Sequence, residues 1–393
     1  MSKNLENKLK EIMDRAVEDN YVAGVGLLVY KDGEQYLSLE SGYADRDAGI
    51  PVRRDTIYRL YSMSKPITSA AVMLLMERGC IDLADQAAMY LPGFQNQRAA
   101  ENGNLVPVKR PCTLRDLLSM CSGLVYPSPG AAGEASEAVF RDVISRLDGD
   151  DPATTLEIAD RLGRQPLNFH PGEHFQYGTS ADILGAVVEV VSGMRFGEFL
   201  KKEIFDPLQM NDTGFGIPES KMPRLSATYV ERPGHILEKD PTTHLAIAFP
   251  PKENPAFESG GAGLLSTLPD YMRFARMLLG GGSLEGVRIL QPATVRFMTQ
   301  GALLDWQQED FERGWDGLTG YTYGNLMRVE KDARKALMHV TKGEYGWDGW
   351  LGTYFSNHPE ENMSILIGIQ KEDCGTCALT RKLRNLILTE ILS

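Results

Sequence analysis

Strand-like segments lie at both ends of this chain, and that arrangement restricts its fold more than any bulk property does. After an amphipathic helical pattern over about residues 5–19, Tyr21-Val22-Ala23-Gly24-Val25-Gly26-Leu27-Leu28-Val29-Tyr30 reads as a strand. Lys31-Asp32-Gly33 supplies a turn into a second strand through Tyr36-Leu37-Ser38-Leu39. Near the other end, Leu351–Phe355 and Met363–Ile369 predict a further hairpin across Asn357-His358-Pro359-Glu360, and Ala378–Ile391 has the spacing of an amphipathic helix. One antiparallel sheet built from both termini, with the first and last helices on one face, satisfies both patterns. The expected class is therefore α+β. Residues 1–75 and 325–393 form a discontinuous lobe, and residues 76–324 form an inserted, largely helical lobe on the other side of a cleft. A chain of 393 residues is long for one core and suits two cooperating lobes.

Composition narrows the function by exclusion. With 42% apolar and 24% charged residues the chain has the make-up of a globular protein, and its formal net charge of −12 disfavours nucleic-acid partners, which require concentrated Lys and Arg. No apolar run approaches the ~20 residues needed to cross a bilayer. The opening Met1-Ser2-Lys3-Asn4-Leu5-Glu6 lacks the apolar core of an export signal, so a cytoplasmic location is expected. The five cysteines make no disulfide framework; Cys80, Cys112 and Cys121 read as small buried residues. Cys374-Gly375-Thr376-Cys377 has the spacing of a redox pair or half a metal site, but no second Cys/His cluster completes it, and it reads as a loop entering the last helix. No metal and no cofactor are expected.

The chemistry-bearing feature is Ser62-Met63-Ser64-Lys65, at the start of the most apolar long stretch. A helix over 62–78, stopped by Gly79, places Ser62 and Lys65 three residues apart on one face, where the amine can take the hydroxyl's proton. Pro66 is tolerated in the opening turns, and the helix N-terminus favours negative charge on a reacting oxygen. Ser64, two positions on, points away from that face. Further helices are expected at Thr113–Leu118, from Thr155, over 183–191 and over 269–279, with 126–133 a mobile loop or lid. Tyr177, in the segment Pro171–Ser180 before a helical pattern, is a candidate base whose pKa a nearby Lys65 would lower.

Taken in order, Ser62-x-x-Lys65, Leu117–Leu124, Tyr177-x-Thr179, Leu184–Gly193, Ser259–Thr267 and Gly346–Phe355 resemble the serine beta-lactamase-like superfamily, specifically its class C and carboxylesterase branch. The resemblance runs from about residue 20 to the C-terminus. It implies a beta-lactamase/transpeptidase-like fold in which Ser62 is acylated by an ester or amide. Lys65 and Tyr177 share proton transfer, and the amides of Ser62 and Trp350 form the oxyanion hole. The edge-strand motif here is Trp347-Asp348-Gly349, where penicillin-recognising relatives have Lys-Thr-Gly and esterase relatives have Trp-Gly-Gly. A cation that would hold a substrate carboxylate is thus absent and an anion is present. Thr179 replaces the family's usual Asn; it can accept from Lys65 but lacks an amide's donors.

These departures point to a carboxylesterase acting on neutral, small to medium acyl esters. Thr179, Trp347, Asp348, Gly349 and Tyr126 are the candidate substrate-binding residues, and Trp347, Trp350, Phe175 and Tyr126 the candidate pocket walls. Asp348 can also simply face solvent. The remaining readings are a beta-lactamase-like or D-amino-acid peptide amidohydrolase, an acyl transferase using the same site, and a silent binding protein retaining the fold. His174 can tune Tyr177 or bond the backbone, Gly260–Gly263 reads as tight packing near the cleft, and His339 and Tyr345 precede the edge motif. The oligomeric state is not legible.

Overall fold

The computed structural model describes residues 3–393. Helix α1 (Lys3–Glu18) leads into strands β1 (Gly24–Lys31), β2 (Glu34–Asp45) and β3 (Ile50–Pro51), and helix α2 spans Ser64–Glu77. Helices α3 (Ala131–Arg146), α4 (Ser180–Ser192) and α5 (Leu268–Leu279) follow. The chain then returns through β4 (Tyr321–Gly324), β5 (Met327–Glu330), β6 (Tyr345–Asp348), β7 (Tyr354–His358) and β8 (Met363–Gly368) to helix α6 (Ala378–Ile391). The eight strands form one sheet in the order β4-β5-β6-β7-β8-β1-β2-β3, so β1 and β8 from opposite ends of the chain lie side by side. Their antiparallel register sets Leu27 opposite Ile367 and Val29 opposite Ile365.

Alternation along these strands serves two faces, as the pleat requires. Val25, Leu27 and Val29 of β1 with Ile365 and Ile367 of β8 pack under Leu5, Leu9 and Met13 of α1 and Leu379, Leu383 and Ile387 of α6. Leu28, Phe355 and Leu366 face the other way, into the core shared with α2 and α5. Every residue of α2 from Ser64 to Leu75 is buried, as a helix that is apolar on all sides demands.

Two details depart from the lobe boundaries expected from sequence. Helix α5 lies within 76–324 yet packs on β1, β7 and β8, because Tyr271, Phe274, Ala275 and Leu278 complete the second face of the sheet. The division at 325 also falls inside the β4–β5 hairpin, which belongs wholly to the sheet.

Charge is buried between the sheet and α6. Arg384 Nη2 donates to Glu344 Oε2 at 2.7 Å, Tyr321 donates to Glu344 Oε1 at 2.9 Å, and His358 Nδ1 lies 3.7 Å from Glu344 Oε2. Burial works to raise the Glu344 pKa, but the neighbouring Arg384 overrides it and holds the carboxyl below its ordinary value. Burial lowers His358 to about 4, leaving a neutral ring bonded to Thr341 and Ser356. No helix among the described residues is long and apolar enough to cross a membrane.

Candidate active site

The Ser62-x-x-Lys65 motif begins one turn earlier than the regular helix. Ser62 lies in a 3-10 turn, Tyr61–Met63, and α2 proper starts at Ser64, where the sequence predicted a helix from Ser62 itself. The cause is Tyr61, whose φ of +44° is left-handed and rare for a bulky residue. Its ring is wedged edge-on against Trp350, with centroids 5.2 Å apart, so surrounding contacts hold the strained backbone in place. The end of β6 abuts the same turn: Thr353 Oγ1 donates to Leu60 O at 3.0 Å, and the Gly349 amide donates to Thr353 O at 2.7 Å. A Cβ on Gly349 would sit 2.2 Å from Leu60 O, so only glycine lets the strand approach this closely.

Lys65 is fully buried and lies 3.0 Å from Ser62 Oγ, 3.1 Å from the Tyr126 hydroxyl and 2.7 Å from Gly261 O. Burial lowers its pKa to about 7, while Asp182 and Asp348 act from a distance in the opposite sense. Three contacts match a neutral amine well: two N–H groups can serve Gly261 O and Tyr126, leaving the lone pair for the Ser62 proton. Asp182, at the start of α4, fixes the Gly261 carbonyl by accepting from Ser259 Oγ at 2.5 Å and from the Gly261 amide at 3.0 Å. Ser64 does point away from this cluster and accepts from the Leu264 amide at 3.1 Å.

Tyr177 occupies the other side of Ser62, with Lys65 Nζ 4.5 Å from its ring centroid. Its pKa, expected from sequence to be lowered by Lys65, is instead raised: burial dominates, although Ser62 and the Trp347 indole both bond the hydroxyl and work the other way. Burial therefore keeps Tyr177 a neutral phenol. Trp347 Nε1 donates to its oxygen at 2.9 Å. Thr179 lies elsewhere than expected. It is wholly buried, its Oγ1 has no hydrogen-bond partner among the described residues, and the third contact of Lys65 is made by Tyr126.

Trp350 follows β6, and its amide donates to no backbone carbonyl among the described residues, as an oxyanion donor beside Ser62 would require. Its indole bonds Asp373 at 2.7 Å and stacks on His244 with centroids 4.2 Å apart. Asp348 is not a free solvent-facing carboxylate. Thr376 Oγ1 donates to it at 2.6 Å, and burial raises its pKa. Cys374 and Cys377 are free thiols, and the Cys374 amide braces the Trp350 carbonyl at 3.0 Å.

Two hollows open on either side of Ser62. One, of about 480 Å³, is lined by Tyr61, Tyr126, Phe140, Ile144, Leu245 and Trp350 among others and is mostly apolar. The second, of about 580 Å³, is more polar and includes Trp347, Asp348, Gly349, Arg313, Asp373 and Arg381. Tyr126, Trp347 and Trp350 thus border the cleft, whereas Phe175 is buried against Phe311, Trp315 and Tyr323 and borders neither hollow. His174 pairs with Asp310 at 2.9 Å. Sequence reasoning missed α3, which begins inside the stretch read as a mobile loop and brings Phe140 and Ile144 to the apolar hollow. Its signal was present in the helical spacing of Ala132, Ser136, Val139, Phe140 and Val143, all buried. Nothing in the sequence signalled His244 and Leu245.

A sequence model of the family described as Beta-lactamase matches residues 9–381. The chain belongs to the beta-lactamase family and is a serine hydrolase. Among its relatives in this family, Esterase EstB of Burkholderia gladioli is 31% identical over 379 residues, spanning 93% of this chain and 90% of the relative. Protein Rv1367c of Mycobacterium tuberculosis is 30% identical over 370 residues, spanning 92% and 88%. Among solved structures, EstCE1, a hydrolase with promiscuous acyltransferase activity, superposes with a TM-score of 0.81 at 25% identity, covering 98% of both chains. Simvastatin synthase LovD of Aspergillus terreus shares the fold with a TM-score of 0.82 at 21% identity, covering 99% of both.

Proposed function

We propose that this family member is a carboxylesterase for neutral, small to medium acyl esters, with Ser62 as nucleophile and Lys65 as general base. The observation that carries the reading is the buried Lys65, lowered to about 7 and 3.0 Å from Ser62 Oγ. In the proposed cycle the Ser62 oxygen bonds the ester carbonyl carbon as its proton passes to Lys65 Nζ. The resulting oxyanion is held by the amides of Ser62 and Trp350. The carbonyl–alkoxy bond then breaks, and the departing alcohol oxygen receives the proton from Lys65. The neutral Tyr177 hydroxyl, bonded to Ser62, relays that proton across the site. Water repeats the sequence: it gives its proton to Lys65 and attacks the acyl carbon, and the acyl–Ser62 bond breaks as the Ser62 oxygen takes that proton back, releasing the acid and the free enzyme.

The apolar hollow supports placing the acyl chain beside Tyr126, Phe140 and Leu245, with the alcohol toward the polar hollow. The name of EstB agrees with ester substrates. The Trp347-Asp348-Gly349 motif supplies no cation of its own at the strand edge, which supports neutral esters over beta-lactams; the cations of that hollow are Arg313 and Arg381. Acyl transfer is the second reading, favoured by a hollow on the alcohol side that admits an acceptor in place of water. The deciding experiment is release of p-nitrophenol from p-nitrophenyl butyrate by wild type and Ser62→Ala. Turnover that vanishes in Ser62→Ala is expected; unchanged turnover there would remove Ser62 as nucleophile. Methanol added to the same assay diverts product to methyl butyrate if transfer competes.

A further inference from the structure

The Cys374-Gly375-Thr376-Cys377 turn takes no part in the cycle above, yet it is built against the strand edge beside Ser62. Trp350 is held at both ends from this segment: Asp373 Oδ1 accepts from its indole at 2.7 Å, and the Cys374 amide donates to its carbonyl at 3.0 Å. Thr376 Oγ1 holds Asp348 at 2.6 Å. The contact has no slack, since a Cβ on Gly375 would lie 2.7 Å from Asp348 Oδ2 and 3.2 Å from Gly349 O. The turn itself is strained: Asp373 and Thr376 have φ of +52° and +40°, in the left-handed region that residues with side chains adopt at a cost. A small change in this turn is therefore passed to the edge that carries Trp350.

Its two cysteines are free thiols hydrogen-bonded to each other. Cys377 caps the N-terminus of α6, where the helix favours a thiolate. Contact with Cys374 draws Cys377 below the ordinary thiol range in spite of burial, and the amide and hydroxyl of Thr380 and the Tyr21 hydroxyl act in the same sense. The same contact pushes Cys374 upward, so one sulfur is the nucleophile and the other keeps its proton. Cys377 is 9% exposed and Cys374 1%. Tyr21, bonded to the Cys377 sulfur, and Ala378, next to it in the chain, line a surface pocket of about 510 Å³ beside Ile12 and Ala16 of α1. That approach suits an oxidant little larger than water, such as a hydroperoxide, and not a bulky disulfide.

We propose that Cys374 and Cys377 are a modification site for hydroperoxides, joined in a reversible disulfide that loosens the strand edge beside Ser62. The Cys377 thiolate attacks one peroxide oxygen: the S–O bond forms, the O–O bond breaks, and the departing oxygen takes a proton from solvent. The Cys374 sulfur then attacks the Cys377 sulfur: the S–S bond forms, the S–O bond breaks, and the hydroxyl leaves as water with the Cys374 proton. The two sulfurs together lose two electrons and the peroxide gains them. A disulfide is shorter than a contact between two thiols. Cys377 is anchored on α6, so closure draws the strained turn toward the helix and pulls the Cys374 amide away from the Trp350 carbonyl. The effect on turnover rests on the esterase reading; the disulfide and the loosened edge do not.

The test treats the full chain carrying Cys80→Ser, which removes the exposed thiol, with hydrogen peroxide. Mass spectrometry is expected to show the loss of two hydrogen atoms in the peptide holding both cysteines, and hydrogen exchange to quicken across 347–353. Turnover of p-nitrophenyl butyrate is expected to fall about tenfold or more in kcat. Dithiothreitol should reverse all three. Adding Cys377→Ser is expected to keep the fold and the activity of the reduced protein, because serine is a favoured N-cap, and to abolish the response to peroxide. Adding Cys374→Ser instead is expected to halt the reaction at a sulfenic acid on Cys377, trapped by dimedone. Thiols that stay reduced in peroxide, a disulfide that leaves exchange across 347–353 or kcat unchanged, or an equal response from Cys377→Ser would overturn the proposal. If the reduced protein does not hydrolyse the ester, the esterase reading fails, and the mass and exchange measurements still judge the cysteine pair.

Discussion

Two buried charged groups in this molecule meet opposite fates. Arg384, between α6 and the sheet, touches Glu344 directly at 2.7 Å, and the pair keeps its charges. Lys65, beneath the cleft, touches only a serine, a tyrosine and a carbonyl, while its carboxylates act from farther away, and its pKa falls to about 7. Burial is common to both, so burial alone does not make a reactive group. The difference is contact with an opposite charge. A guanidinium keeps its proton and is held by the carboxylate it touches, whereas an amine buried among neutral acceptors becomes a base near neutral pH.

Substitutions that exchange these roles break the comparison most visibly. Lys65→Met is expected to reduce kcat/KM about 10²–10⁴-fold while raising stability by roughly 0.5–2 kcal/mol, since a buried amine with no opposite charge in contact is removed. Glu344→Gln should do the reverse, lowering stability by about 3–5 kcal/mol by stranding Arg384 and leaving the specific activity of folded protein unchanged. Ester-hydrolysis kinetics and urea denaturation of both variants check the pair. A Lys65→Met protein less stable than wild type would contradict the electrostatic account of the site.

Gly261→Ala probes the frame around Lys65 without altering charge. The added Cβ would lie 3.0 Å from both Asp182 Oδ2 and the Tyr126 hydroxyl, tighter than ordinary contacts. A displaced Gly261 carbonyl should cost on the order of 10–100-fold in kcat with little change in KM. Activity against pH sharpens the comparison further. Lys65 works as a base only when deprotonated, so kcat/KM should rise through about pH 7 and fall below it. Tyr126→Phe removes an acceptor that favours the ammonium, so that limb should move to lower pH, by less than about one unit.

The smallest effect belongs to the paired cluster. His358 is protonated near 4 when folded and near 6.5 when unfolded, so it contributes stability above about 6.5 that is lost as pH falls toward 4. Glu344, whose folded pKa is depressed, loses its contribution in acid as well, as pH falls through that value. Melting temperature should therefore drop across that range, and His358→Gln should flatten the decline.

The parts of the site legible in sequence were those made by neighbours along the chain. Ser62 and Lys65 are three residues apart, and the local geometry of the turn and helix brings them together whatever the tertiary context. Likewise the apolar strands at 24–31 and 363–368 announced a sheet closed by both termini, since each had to find a partner. Features fixed by distant packing were not legible. Tyr126 reaches Lys65 across 61 residues. The protonation of Tyr177 depends on how far burial outweighs its hydrogen bonds, which no spacing reveals. Its place in a motif marks Thr179 as a Lys65 partner, but the backbone turn before α4 directs it into the interior. Asp348 could not be placed from sequence because its partner, Thr376, comes from the turn before α6, 28 residues further on.

The pairing of β1 with β8 has a consequence for how the protein is made. A ribosome delivers β1 and the nucleophile turn early, yet β1 remains an unpaired edge on one side until β8 emerges, and Trp350 arrives only shortly before it. A nascent chain can thus assemble much of its helical lobe before Gly349 and Thr353 arrive to brace the turn that holds Ser62. The β1 edge, open on that side until β8 emerges, is therefore the point at which folding is most exposed to aggregation.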